Sequence, residues 1–175
     1  MKTKKLTAMA LLTAVALIIF VVEAQIPALV PIPGIKLGLA NIITVFAVFT
    51  FGSWEATLIL AVRIFLGAVF AGNFSTILYS AAGGALAIGV TILLKRILTM
   101  KQLWVAGTLG AIAHSIGQVA MAALLFRTPE LFLFYLPVLV ICSILTGTFT
   151  GLCAHYASKK LPTSLFPQKQ DHPIQ

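Results

Sequence analysis

Hydrophobic residues run along the chain in six long blocks, separated by short breaks rich in glycine, proline and charge. The blocks extend from about Leu6 to Ile26, Leu39 to Phe51, Trp54 to Phe70, Phe74 to Leu94, Leu103 to Phe126 and Leu131 to Tyr156. Crossing about 30 Å of hydrocarbon takes roughly 20 apolar residues as a helix, so most of these blocks predict transmembrane helices. The second is short for a bilayer unless the stretch before it folds inward. The expectation is an all-α, polytopic integral membrane protein with six transmembrane helices. Residues 1–160 form one membrane domain in this reading, and residues 161–175, with their Pro and Gln, form a disordered cytoplasmic tail. No internal repeat is visible.

The break before the second block, Pro31 to Asn41, is the longest interruption in the first half. It holds Pro33, Gly34, Lys36 and Gly38, with Asn41 at the mouth of the next helix. Irregular backbone at membrane depth survives only where protein or a water-lined cavity satisfies its polar groups. The stretch is therefore either a plain surface loop or the lip of a binding site.

Composition and charge agree with a membrane protein. The 175 residues are 60% hydrophobic and 9% charged, against about 25% charged in soluble domains. The net charge of +8 does not form one basic tract with interleaved aromatics, so nucleic acid is excluded as the partner it implies. Instead the basic residues collect at block ends. With the N-terminus inside, Lys2, Lys4, Lys5, Lys95, Arg96, Lys101, Lys159, Lys160 and Lys169 fall inside, whereas Lys36 and Arg127 fall outside. The positive-inside rule then predicts cytoplasmic N- and C-termini for a multi-pass membrane protein, with the Pro31–Asn41 stretch external. Lys2, Lys4 and Lys5 ahead of an apolar run imitate a secretory signal. The run from Leu6 to Val22 nevertheless exceeds a signal core of about 7–15 residues, so it reads as a retained first helix. Cys142 and Cys153 lie about 16 Å apart along one helix, too far for a disulfide.

Polar groups inside membrane helices are costly, and each is a candidate functional residue. Glu23, Asn41, Asn73, Tyr79, Ser80 and Gln118 all fall toward the predicted outer side. Arg63 and His114 lie nearer mid-depth, about 13–18 Å from their cytoplasmic helix starts. The inner halves hold little beyond Glu55 and His155, which read as interfacial. Such a gradient fits a cavity open to the exterior. Each residue also has a plainer reading. Arg63 could pair with Glu23 as a buried ion pair or snorkel outward. His114 and Gln118 share a helix face at i and i+4, with Gly117 between them, and could bond a ligand or another helix. Lys36 is either a lip charge or a ligand contact. The expected substrate-binding set is Lys36, Asn41, Arg63, His114 and Gln118, with Pro33, Gly34 and Gly38 shaping a lid. Its cationic groups point to an anionic or strongly polar small molecule. Small residues at Ala10 and Ala14, at Gly83-Gly84 with Gly89, and at Gly147 and Gly151 mark close helix contacts.

Catalysis finds little support. No phosphate-cradling glycine loop with its Lys and Ser/Thr is present. The four acidic residues, Glu23, Glu55, Glu130 and Asp171, are scattered, so no carboxylate cluster could hold Mg²⁺ on a diphosphate. No metal site or other cofactor is expected, since His114 has no companion at ligand spacing.

Pro33-Gly34-Ile35-Lys36-Leu37-Gly38-Leu39-Ala40-Asn41 resembles a loop signature of the heptaprenyl diphosphate synthase component I family, also called the Gx transporter family. Arg63 with Gly67, Ser80 with Gly83-Gly84, and Ala113-His114-Ser115-Ile116-Gly117-Gln118 match it as well, except that the family pattern has Asn where Ser115 stands. The resemblance covers about residues 6 to 157. That family is similar to the substrate-binding S components of energy-coupling factor (ECF) transporters. This implies six helices capturing a micronutrient or precursor from outside, a transmembrane coupling protein and two cytosolic ATPases as partners. It also implies an Ala-x-x-x-Ala face, here Ala10 and Ala14, against the coupling protein. The family's enzymatic name implies another role, the accessory membrane subunit of a two-component synthase making a quinone side chain with a soluble prenyl synthase subunit. The chain lacks the Asp-rich motifs of that chemistry.

Overall fold

A computed structural model describes residues 2–25, 38–72 and 75–160 of the chain. All regular structure among the described residues is helical: α1 (Lys2–Gln25), α2 (Asn41–Thr50), α3 (Ser53–Ala71), α4 (Ser75–Leu94), α5 (Leu103–Phe126), α6 (Leu131–Phe134) and α7 (Leu136–Lys160). A short 3₁₀ turn, Met100–Gln102, leads into α5 behind a capping box from Thr99 to Gln102. Five helices (α1, α3, α4, α5 and α7) are long and apolar enough to cross a membrane. Leu11, Ile18, Phe65, Leu93, Leu124 and Leu145 are exposed around the outside of the bundle, where lipid is the natural solvent.

The second helix departs from the six-span expectation. Its ten residues extend about 15 Å, half the hydrocarbon thickness. It is also the most enclosed element, with Ile43 to Val48 buried without interruption and α1, α3, α4, α5 and α7 all touching it. An apolar helix with no polar face has to be surrounded, and this one fills the middle of the bundle. Lys95, at the end of α4, donates from Nζ to the Val48 carbonyl at 2.6 Å and satisfies one of the orphan acceptors at the α2 C-terminus. At the same end Lys5 of α1 pairs with Glu55 of α3.

The sixth block also differs, because it is broken at Tyr135. Pro137 has no N–H to give, and the first bond of the longer piece runs from Leu139 N to Tyr135 O at 3.1 Å. The four residues of α6 therefore form a separate turn before α7.

Glycines set the closest crossings. A Cβ on Gly107 of α5 would lie 2.5 Å from Gly147 O, and one on Gly147 of α7 would lie 2.7 Å from Gly107 O. On the other side of α5, a Cβ on Gly117 would meet Ala82 O of α4 at 2.6 Å. These small residues serve packing within the chain, and α5 accordingly makes its most extensive contacts with α7 and α4. Hydroxyl pairs reinforce the α5–α7 seam: Ser115 Oγ to Ser143 Oγ at 2.7 Å and Thr108 Oγ1 to Thr148 Oγ1 at 2.9 Å. Gly89 is the exception, exposed and with nothing within 4 Å of its would-be Cβ. Gly89→Ala is expected to be neutral or to raise the melting temperature in detergent by roughly 1–3 °C, since only backbone entropy changes.

Candidate functional site

Three helix registers bring polar side chains to one level. Arg63 stands about 15 Å along α3 from Ser53, His114 about 16 Å along α5 from Leu103, and Asn41 about 14 Å along α2 from Thr50. The short second helix starts half-way through the bundle, and so Asn41 meets the mid-helix residues of its neighbours. Above this level sit Glu23, near the end of α1, and Gln118, one turn beyond His114. All five are buried, with 1–5% of their surface exposed.

The charged members are held together. Arg63 lies over the Phe20 ring, 5.8 Å from its centroid, and the Glu23 carboxylate acts on the guanidinium through its charge. Glu23 Oε1 accepts the Gly38 N–H at 2.5 Å. Gly38 has φ +79°, the left-handed region, and its own carbonyl accepts Asn41 N–H at 2.9 Å to start α2. A Cβ on Gly38 would lie 3.0 Å from His114 Cδ2, so the backbone there rests on the imidazole. Gly83 of α4 does the same from the opposite side, its would-be Cβ 2.9 Å from His114 Cε1 and 2.9 Å from Gln118 Cγ. The ring thus lies against the Gly83 backbone and feels the charge of Arg63.

Two atoms in this cluster stand out. Asn41 Nδ2 and His114 Nδ1 are buried side-chain atoms without a hydrogen-bond partner among the described residues. Asn41 Nδ2 faces Gly110, 3.2 Å from where a Cβ would be, and Gly110 lies one turn before His114 on α5. Gly110, His114 and Gln118 thus form a single stripe on α5, with Asn41 Nδ2 against it. A buried polar atom left unpaired costs about 1–3 kcal/mol, and native interiors rarely keep one without a use for it.

The structure therefore gathers Gly38, Asn41, Arg63, His114 and Gln118 in one place. Lys36, Pro33, Gly34 and Asn73 lie outside the described residues. Glu23 belongs to the cluster as a bridge between Arg63 and Gly38. Thr91 is an addition to the residues singled out in the sequence, with Oγ1 3.1 Å from the would-be Cβ of Gly110 and donating to Ala87 O. Ser115 turns away toward Ser143, so the departure from Asn at this position falls on the α5–α7 seam and outside the cluster. Among the described residues no three His, Cys, Asp or Glu side chains group to hold a metal. Glu55 and His155 are occupied at the far end, with Lys5 and with the Met100 carbonyl at 2.9 Å.

Ala10 and Ala14 lie elsewhere. Both are exposed on α1 and line an apolar groove of about 340 Å³ against Leu58, Val62 and Leu66 of α3.

An all-helical bundle with an apolar exterior and an enclosed polar cluster at mid-depth is a polytopic membrane protein. This chain belongs to the heptaprenyl diphosphate synthase component I family, whose model matches residues 12–157. The match contains every member of the polar cluster and Ala14, while Ala10 lies just before it. No curated protein and no solved structure matches the chain.

Proposed function

We propose that the chain is a membrane-embedded solute-binding subunit, acting as the S component of an ECF-type importer that captures a small polar molecule from the outer side. One observation carries this reading: Asn41 Nδ2 and His114 Nδ1, buried at mid-depth, have no hydrogen-bond partner among the described residues. A bundle that needed only rigidity would gain by pairing them or replacing them with apolar groups. Arg63 and Gln118 complete the site, and Gly38 closes against His114. Entry from outside follows from the bias of lysines toward the opposite end. The ligand stabilises the closed arrangement by binding it better than the open one.

The exposed Ala10–Ala14 groove suits a helix of the coupling protein, since small residues allow close approach. Affinity purification from native membranes is expected to bring down a coupling membrane protein and two ATPases. Ala10→Trp and Ala14→Trp should abolish that association while leaving the bundle folded, because both side chains point outward. Retention of the partners by the double variant would refute this surface.

A second reading is favoured by the family's description. In it the chain is the accessory membrane subunit of heptaprenyl diphosphate synthase. It would then co-purify with a soluble, Asp-rich synthase subunit and alter the length of the prenyl product, and the ATPases would be missing.

A further inference from the structure

We propose that Glu23 sets the charge preference of this site, so that it accepts an uncharged polar solute that hydrogen-bonds Asn41 and His114, and does not take an anion. The choice of ligand rests on the solute-binding reading above, whereas the test below does not.

A cation at mid-membrane ordinarily advertises an anionic ligand, and Arg63 invites that conclusion. However, Arg63 and Glu23 are the buried Arg, Lys, Asp and Glu side chains among the described residues, and their formal charges cancel. Burial strengthens this cancellation, because charges 4–5% exposed are poorly screened by water. The guanidinium is further engaged by the Phe20 face. Glu23 has a second anchor in the Gly38 N–H, which holds its carboxylate in place from a different segment of the chain. An anion entering here would displace or oppose a fixed carboxylate in low dielectric, which is strongly unfavourable. What the described residues of the site leave to a ligand is neutral: the amide N–H of Asn41 and His114 Nδ1, donor or acceptor according to its tautomer. An amide, a hydroxylated compound or a nitrogen heterocycle meets those requirements. A carboxylate or a phosphate does not.

Formate tests this directly, as the smallest carboxylate. Thermal unfolding of the purified full-length protein is followed with sodium formate or, at equal concentration, with bulky sodium gluconate. The wild type is expected to melt at the same temperature in both. Glu23→Ala leaves Arg63 uncompensated beside a space of carboxylate size. It is expected to melt roughly 10 °C lower in gluconate and to recover about half of that loss in formate. Stabilisation of the wild type by formate that disappears in Arg63→Met would overturn the proposal, and so would a Glu23→Ala protein indifferent to formate. Should Glu23→Ala not yield folded protein, Glu23→Gln/Arg63→Met is compared with Arg63→Met alone. The double variant is expected to melt higher because both charges leave together. An equal or higher melting point for the single variant would contradict the compensation.

Discussion

Gly151→Leu is expected to abolish recovery of folded protein. A Cβ at this position would stand 2.5 Å from Trp104 Cα and 2.6 Å from Leu103 O, both backbone atoms of α5. Side chains can rotate out of such a clash, but a helix backbone cannot. The two helices must separate, and the separation opens the whole α5–α7 seam. Gly107 and Gly147 lose their close crossing with it, as do the Ser115–Ser143 and Thr108–Thr148 hydroxyl pairs. Overpacking a core typically costs 1–3 kcal/mol, and a seam of backbone contacts without room to relax should exceed about 3 kcal/mol. In a bilayer no hydrophobic gain compensates, since lipid is as apolar as the helix it replaces. Size-exclusion profiles in mild detergent will report this as loss of the monodisperse peak. Gly89→Leu, on the same scale of added volume, should keep the peak, because nothing lies within 4 Å of that position. Equal behaviour of the two variants would remove the seam from the account.

Helix identity was legible from the sequence because hydrophobic length alone decides it: the ends of α3, α4 and α5 fall within about two residues of the apolar blocks, as boundary conventions allow. The shortness of the second block was legible too, and it turned out to matter most. A ten-residue helix that begins half-way through the bundle is what places Asn41 opposite Arg63 and His114. The break at Tyr135 was missed because hydropathy is continuous from Leu131 to Tyr156, and Pro137 is a single residue in that run. Within the site, Asn41, Arg63, His114 and Gln118 could be picked out because charge and amide groups are rare in apolar helices. The role of Gly38 and Gly83 in walling the imidazole could not. It depends on which faces of α2, α4 and α5 meet, and periodicity is silent when the hydrophobic residues go all the way round a helix. For the same reason the sequence left open whether Arg63 was a free cation or half of a pair. Its contact with Phe20 and the charge of Glu23 are tertiary facts.

Replacing both unpartnered side chains by apolar ones of similar size, in Asn41→Leu/His114→Leu, should have two opposite consequences. Ligand affinity should fall at least about 30-fold, since each lost hydrogen bond in a water-poor site contributes about 1 kcal/mol or more. Stability of the ligand-free protein should be unchanged or should rise, because the variant no longer buries polar atoms without partners. A structural polar network would respond differently: its disruption lowers stability and affinity together. The separation of the two effects is therefore diagnostic, and melting curves of ligand-free protein supply one half of it.

The most direct measurement supplies the other half: mass spectrometry of the small molecules that co-purify with wild type and with the Asn41→Leu/His114→Leu variant from the same native membranes. The account predicts one polar compound in near-stoichiometric amount on the wild type, and its loss from a variant that remains monodisperse. The same compound in equal amount on both proteins, or no bound compound on freshly purified wild type, would contradict a solute-binding role for the cluster.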